Sequence, residues 1–263
     1  MPEGDTIWRA ARTLDAALAG RVVTRFDARA VAVVAAARRL GLVGRTLDRV
    51  EARGKHLLFV FAGGAVLHTH QGLRGSWRLQ PPGEVRGRAF AEAVVETAEV
   101  VAVCRHAPVV ELLPPRALAS HPALARLGPD LLASDFDPVA ARIRLRSRGG
   151  SHPIGEALLD QVALAGIGNV YKSEVLFLCG VAPTTAVHAL DDATLGRLIA
   201  TAARLLRKNL GPGPRRTTSG LSREPLHVYA RAGQPCRACR TPIERIVQGE
   251  QVRATYFCPS CQG

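Results

Sequence analysis

The sequence predicts an α+β protein in which a helix packs on an antiparallel β-sandwich and a helical segment leads into a cysteine-bearing hairpin. Three observations support this class. Short apolar runs separated by turn signals dominate the first part of the chain, longer Ala-, Leu- and Arg-rich segments follow Pro114-Pro115, and four of the six cysteines lie near the end. These changes predict domains at 1–114, 115–227 and 228–263.

The first part opens with a predicted helix. Apolar residues recur at helical spacing from Glu3 onward, and Gly20 ends the run. Strand-like segments follow over 21–29 and 45–53, and "HLLFVFAGGAVLHTH" forms two apolar runs around a Gly-Gly turn. The strand pattern returns in "AFAEAVVETAEVVAVC" and "PVVELL". This part therefore predicts one helix on a predominantly antiparallel sandwich.

Helical patterns dominate the second part of the chain. We expect helices near 116–127, over 137–148, along "PIGEALLDQVALAG", after "GIGN", and over 191–209. The stretch "LGPGPRRTTSGLSREP" is rich in Gly, Pro and Ser, which predicts a loop before the cysteine-bearing tail.

The charge of the chain indicates its class of partner. Lys and Arg number 35 against 22 Asp and Glu, a formal net charge of +13, and this excess favours a polyanion such as nucleic acid. The chain is 47% hydrophobic, enough for a sizeable core. It shows neither the ~18–20 apolar residues of a membrane span nor a targeting signal at its start. We therefore expect a bacterial cytoplasmic, nucleoid-associated protein without a membrane partner.

The cysteine spacing predicts a metal site. Cys236-x2-Cys239 and Cys258-x2-Cys261 are separated by 18 residues, a spacing typical of a four-thiolate zinc ribbon. The intervening residues can form a hairpin with its turn at Gln248 to Gln251. Two disulfides are the alternative, and a cytoplasmic location disfavours them. A four-cysteine site has no open position, so the predicted zinc is structural.

Two further features have both a structural and a functional interpretation. Gly166-Ile167-Gly168-Asn169 joins two predicted helices and places Asn169 at the start of the second, where free N–H groups can bind a phosphate. The same pattern also fits an ordinary helix corner with Asn as a cap. Arg253, on the strand leading into Cys258, is either a solvated arginine or a functional group carried by the hairpin.

The motifs "MPEGDT", "RGKHLLF", "HPALARLGPDLL", "LLDQVALAGIGNVYKSE" and the terminal cysteine ribbon occur in this order along the chain. Together they resemble the formamidopyrimidine-DNA glycosylase/endonuclease VIII family, and "MPEGDT" is closer to its actinobacterial endonuclease VIII branch. The resemblance implies an N-terminal β-sandwich flanked by helices, a helix-two-turns-helix domain and a zinc-finger β-hairpin. It also implies base-excision repair, with removal of an oxidised base followed by strand cleavage at the abasic sugar. We expect the chain to act as a monomer on damaged DNA that is duplex, bubble or single-stranded.

The resemblance gives Pro2 a chemical role. A chain that begins Met-Pro is common and by itself implies nothing. In this family, removal of Met1 would expose a secondary amine, and an α-amino group has a pKa of ~7.7–8.0 against ~10.4 for lysine. The following helix would depress that pKa further. We expect Pro2 to attack C1′ of the sugar, and Glu3 to move protons to the sugar ring and from C2′.

Other roles follow from the resemblance, position by position. Lys55 matches a lysine that contacts phosphate and donates a proton during β-elimination. Arg253 matches the zinc-hairpin arginine, which binds phosphates of the extruded nucleotide and assists δ-elimination. Asn169 and Arg126 match DNA-contacting residues.

The chain departs from the family pattern at several positions. Thr6 stands where the family often has Glu, with Asp5 as a possible substitute. The residues that fill the gap left by a flipped nucleotide are reduced to Leu73 and a displaced Gln71. "CRHAPVV" lacks the Arg-Phe pair of the other branch, and the lid "GPRRTTSGLSREP" is short.

These departures favour oxidised pyrimidines, open or single-stranded DNA, or abasic sites as substrates. Two alternatives remain at this stage: an abasic-site lyase without significant glycosylase activity, and a non-catalytic zinc-containing nucleic-acid-binding protein. His68 and His70 alternate on one strand face as a metal pair could, but the sequence suggests no third ligand, and we interpret them as structural or phosphate-facing.

Overall fold

A computed structural model describes residues 2–83, 86–219, 222, 224–250 and 252–263. The chain forms two compact units, the first ending at Arg126 and the second running from Leu127 to Gly263. Both units combine helices with antiparallel strands, which confirms the α+β class. The predicted division at 114/115 and 227/228 stays a prediction.

The first unit contains two four-stranded antiparallel sheets. The first sheet consists, in spatial order, of β1 (Arg25–Ala28), β6 (Ala93–Glu96), β7 (Val101–Arg105) and β5 (Ser76–Gln80). The second consists of β2 (Leu47–Arg53), β3 (His56–Phe61), β4 (Val66–His70) and β8 (Val109–Leu113). Phe59 and Leu67 of one sheet share a core with Val95 and Ala102 of the other, so the sheets form the expected sandwich.

Two helices cover this core. Helix α1 (Gly4–Leu18) buries an apolar stripe at helical spacing, as its sequence predicts. The Asp15 carboxylate accepts a hydrogen bond of 2.7 Å from the backbone N–H of Val50, which fixes α1 against β2. The sequence interpretation missed helix α2 (Val31–Arg39), whose β-branched residues favour strands when considered locally. It also missed β5.

Two predictions for the first unit need correction. The strand expected over 21–29 is confined to β1, with only an isolated bridge between Val22 and Thr46 before it. The helix expected near 116–127 is a short 3-10 turn, Ala117–Ser120. It ends there because Pro122 disfavours helical backbone at His121, which is extended at φ −65° and ψ 124°.

The second unit contains four α-helices and a two-stranded hairpin among its described residues. They are α3 (Pro138–Gly149), α4 (Ile154–Ala157), α5 (Asn169–Cys179), α6 (Asp192–Lys208), β9 (Glu244–Gln248) and β10 (Arg253–Phe257). Asp137 and Asp191 cap α3 and α6 through their carboxylates. Tyr171 of α5 packs in the same core as Leu198 and Leu206 of α6.

The helix expected along "PIGEALLDQVALAG" ends at Ala157 instead. Beyond it, the Asp160 carboxylate accepts from the N–H of Val162 at 2.9 Å, and the side-chain amide oxygen of Gln161 accepts from the N–H of Gly166 at 3.1 Å. These local bonds replace helical ones and shape the loop before α5.

The expected terminal hairpin is confirmed, with Arg253 opposite Gln248. Its predicted turn includes Gln251, which lies outside the described residues, as do three residues of the predicted lid (220, 221 and 223). Within the described part of the chain, no helix is long and apolar enough to cross a membrane.

Candidate active site and zinc centre

Pro2 and Glu3 lie at the N-terminus of α1. Glu3 is extended and precedes the first helical residue, and its carbonyl accepts from the N–H groups of Thr6 and Ile7 at 2.9 and 3.0 Å. The Glu3 side chain is fully buried. The helix dipole therefore places a partial positive charge next to Pro2 and favours a carboxylate at this position.

Asp5 is also fully buried, and two of its contacts lie within its own helix. Its carboxylate accepts from the Thr6 hydroxyl at 3.4 Å and lies 3.9 Å from the Arg9 guanidinium. Thr6, which stands where the family often has Glu, is thus hydrogen-bonded to Asp5.

Lys55 lies in the tight turn between β2 and β3, beside Gly54, which has a left-handed φ of 57°. Helix α1 packs against both of these strands. Burial lowers the pKa of His70 on β4, and the positive charge of Lys55 lowers it further. Lys55 therefore lies close enough to His70 to disfavour a second positive charge there, in the same unit as Pro2 and Glu3.

The candidate void-filling residues differ in exposure. Gln71 is buried, whereas Leu73 is 60% exposed in the turn that follows β4. This turn is closed by a 2.7 Å bond from the N–H of Gly75 to the carbonyl of Gln71. Of Gln71 and Leu73, only Leu73 is accessible to a ligand over much of its surface. Arg126 is exposed at the end of the first unit.

In the second unit, Asn169 is the first residue of α5, and Gly168 occupies the cap position. The Asn169 amide donates a 2.6 Å hydrogen bond to the carbonyl of Ala254, the residue after Arg253. Its buried side-chain oxygen accepts no hydrogen bond from the described residues. The side chain thus connects the start of α5 to the strand that carries Arg253.

A second contact holds the same strand. Lys172 is fully buried, and its ammonium donates to the hydroxyl of Thr255 at 2.6 Å. That hydroxyl donates to the side-chain oxygen Oε1 of Gln248 at 2.7 Å, and the side-chain Nε2 of Gln248 donates to the backbone carbonyl of Pro183 at 3.0 Å. Sequence reasoning missed Lys172, because a lysine is rarely buried without a partner and no local pattern identifies that partner.

Arg253 is half-buried at the start of β10. It lines a cavity of about 470 Å³ within the second unit, together with groups of both charges. The charged residues around this cavity are Arg148, Glu156, Asp160, Glu250 and Arg253.

The four ribbon cysteines converge. Their sulfur atoms lie within 4.8 Å of one another, with 3.9 Å between Cys236 and Cys261 and 3.4 Å between Cys239 and Cys258. Zn–S bonds of about 2.3 Å in a tetrahedron place sulfurs about 3.8 Å apart, whereas a disulfide requires about 2.05 Å. The cysteines therefore fit a structural zinc ion, and the disulfide alternative is wrong.

The other two cysteines are not part of this centre. Cys104 is fully buried, and burial raises the pKa of its thiol to about 12. Cys179 is half-buried on α5, and burial raises the pKa of its thiol also. Neither thiol is therefore suited to act as a nucleophile at neutral pH.

Comparison with known families matches three successive parts of the chain. Residues 1–108 match the formamidopyrimidine-DNA glycosylase N-terminal domain, residues 127–219 match its H2TH domain, and residues 233–263 match the zinc finger found in FPG and IleRS. Together with the fold and the cysteine centre, these matches define a zinc-containing DNA glycosylase and abasic-site lyase. The chain belongs to the formamidopyrimidine-DNA glycosylase/endonuclease VIII family.

Its relatives include actinobacterial proteins that match along the full chain. It is 45% identical to the probable endonuclease 8 2 of Streptomyces coelicolor, covering 94% of that protein. It is 40% identical to the DNA-(apurinic or apyrimidinic site) lyase Nei2 of Mycolicibacterium smegmatis, covering 99% of it. The crystal structure of Lactococcus lactis formamidopyrimidine-DNA glycosylase bound to DNA with an AP site matches 99% of both chains, with 25% identity and a TM-score of 0.82.

Proposed function

We propose that this enzyme excises oxidised pyrimidines and cleaves the resulting abasic site by β,δ-elimination, with the amine of Pro2 as nucleophile. The observation that supports this assignment is the position of Pro2, directly before the N-terminus of α1 and beside the buried carboxylate of Glu3. A positive helix end favours the neutral, nucleophilic form of the amine.

In the proposed mechanism, the Pro2 nitrogen, freed by removal of Met1, bonds to C1′ as the bond from C1′ to the base breaks. The base leaves with the electrons of that bond and takes up the proton that the Pro2 nitrogen loses. Glu3 then protonates the ring oxygen, the bond from C1′ to that oxygen opens, and an iminium ion forms. The iminium accepts the electrons released when a C2′ proton is removed, and the 3′ phosphate departs. A second elimination expels the 5′ phosphate, and water releases the sugar fragment from Pro2.

The remaining predicted residues hold the DNA in this proposal. Lys55 contacts phosphate and supplies the proton for β-elimination, and Arg253 assists the second phosphate departure. Asn169 and Arg126 contact the backbone, which positions the DNA without selecting a base. Leu73 fills the space left by the flipped nucleotide, and Gln71 begins the turn that carries it.

Leu73 is the one large apolar side chain exposed in the void-filling turn of residues 71–75, which supports substrates that need little strand separation. We therefore assign bubble and single-stranded DNA as substrates alongside duplex DNA. The proposal also includes a monomeric enzyme that acts in the bacterial cytoplasm at the nucleoid. The same observation favours a second candidate, a lyase that acts on existing abasic sites without excising bases.

Borohydride trapping tests the nucleophile. The wild-type chain should form a covalent adduct with an abasic-site oligonucleotide, and peptide mass mapping should locate it at Pro2. Pro2→Gly should bind this DNA with similar affinity but lose most of the trapping, because glycine presents a primary amine with a different basicity and geometry. Undiminished trapping in Pro2→Gly would refute the assignment.

The same trapping with an oligonucleotide that contains an oxidised pyrimidine separates the two candidates. An adduct with both oligonucleotides supports the bifunctional enzyme. An adduct with the abasic oligonucleotide alone supports the lyase.

A further inference from the structure

Three side chains with metal-binding groups converge in the first unit, apart from Pro2 and Glu3. They are His68 on β4, Glu111 on β8 and His121, which follows the 3-10 turn Ala117–Ser120. Their ligand atoms all lie within 4.8 Å of one another. The sequence suggested no third ligand for a histidine pair at 68 and 70. The structure corrects this, because His68 is grouped with Glu111 and His121.

The strand register explains part of this convergence. His68 lies directly opposite Glu111 on adjacent antiparallel strands, so both side chains project from the same face. The distance between His68 Nδ1 and Glu111 Oε2 is 3.3 Å, and His121 Nε2 lies 2.9 Å from the same oxygen. Residues distant in the sequence thus meet around one carboxylate.

The spacing suits a metal ion. Zn²⁺ binds His nitrogen at about 2.0–2.1 Å and carboxylate oxygen at about 2.0–2.2 Å, so tetrahedral ligand atoms lie about 3.3 Å apart. The two measured separations are within about 0.4 Å of this value. Two imidazoles and one carboxylate form a ligand set that Zn²⁺ and Co²⁺ accept, with a fourth position for water.

The surroundings of His68 support the same conclusion. His68 is 1% exposed, and its second nitrogen, Nε2, lies 2.8 Å from Nδ1 of His56. A metal-bound histidine usually donates its other N–H to a fixed acceptor, and His56 supplies one here. The Glu111 side chain is 45% exposed, which gives an ion a route from solvent.

His121 requires one adjustment. Its Nδ1 accepts a long hydrogen bond of 3.3 Å from the backbone N–H of Leu124. Binding a metal through Nε2 moves the His121 proton to Nδ1, so this contact is lost on binding.

We propose that His68, Glu111 and His121 form a second metal site that binds one Zn²⁺ or a similar divalent transition-metal ion. The ion would join β4, β8 and the segment around His121. This site is separate from the cysteine centre and does not depend on the proposed catalytic role of Pro2.

Metal stoichiometry tests the proposal. The full chain is loaded with excess Zn²⁺, desalted and assayed for bound metal. The wild-type chain should retain two equivalents, and Glu111→Gln and His121→Gln should each retain one. His188→Gln, which alters an exposed histidine of the second unit, should retain two. A single equivalent in the wild-type chain, or two in Glu111→Gln, would overturn the proposal.

Cobalt spectroscopy on the wild-type chain keeps the test independent of variant folding. Co²⁺ added to protein that carries only the cysteine-bound zinc should produce visible ligand-field bands without a thiolate-to-cobalt charge-transfer band. One equivalent of Co²⁺ should saturate these bands. The absence of such bands would show that the three side chains form only a hydrogen-bonded cluster, and the proposal would be wrong.

Discussion

At the scale of single residues, one carboxylate connects the helical part of the second unit to its cysteine-bearing tail. Glu174 on α5 is fully buried and accepts 2.8 Å hydrogen bonds from the backbone N–H groups of His227, Val228 and Tyr229. The Thr217 hydroxyl donates to the same carboxylate. Four donors satisfy the buried carboxylate, so Glu174 fixes the segment that leads into the zinc centre to helix α5.

Replacing this carboxylate should be costly. Glu174→Gln presents an NH2 group to backbone N–H donors and removes the charge from the remaining bonds, so we expect a loss of about 2 to 4 kcal/mol in the free energy of unfolding. Urea denaturation measures this loss. Glu244→Gln on the exposed face of β9 is the matched control and should change stability by less than ~0.5 kcal/mol. Equal stability of the two variants would contradict the conclusion that Glu174 fixes this segment to helix α5.

At the scale of elements, side-chain hydrogen bonds join helix α5 to the zinc hairpin. Asn169 bonds to Ala254, and Lys172 bonds to Thr255. Both acceptors follow Arg253 on β10. The contacts from the start of α5 therefore help to fix the backbone position from which the Arg253 side chain extends. Two proposed phosphate ligands on separate elements are therefore structurally linked.

This link predicts that Asn169 and Arg253 are not independent in DNA binding. Asn169→Ala should displace β10 as well as remove an amide, so that Arg253→Ala costs less in that background. A double-mutant cycle, measured as affinity for an abasic-analogue duplex, should give a coupling energy of about 0.5 to 3 kcal/mol. Additive effects would indicate that the contact to Ala254 does not position Arg253. Arg126→Ala with Arg253→Ala is the control pair and should be additive.

At the scale of the whole molecule, the chain consists of two units with separate cores. The zinc centre belongs to the second unit, where Val228 and Ile243 pack around the buried cysteines. This apolar cluster is small, and a structural zinc supplies folding free energy directly.

Loss of zinc should therefore affect only one unit. Cys258→Ser should expose the tail beyond residue 228 to proteolysis and lower DNA affinity on the order of tenfold, equivalent to ~1.4 kcal/mol. Peptides from residues 2 to 126 should stay protected. Cys179→Ser, which alters a cysteine outside the metal site, should behave as the wild-type chain. Loss of protection in both units would show that the first unit requires the zinc centre.

Much of the fold could be predicted from the sequence because its signals are local. The apolar stripe of α1, the hairpin of β3 and β4, the Asp137 cap and the cysteine spacing each involve residues close together in the chain. The same holds for the placement of Pro2, Glu3 and Asn169 at helix starts. Helical spacing, turn chemistry and zinc-ligand spacing are properties of short segments, so no tertiary knowledge is needed.

Other features depended on contacts between distant segments. The sequence by itself determined the family, the zinc ligands and the order of the main elements. Only the tertiary structure decided that "VAVVAAARR" is a helix, that Lys172 bonds to Thr255, and that His68 meets Glu111 and His121. The physical reason is that burial and long-range hydrogen bonding override local propensity, and neither is encoded in the spacing of neighbouring residues.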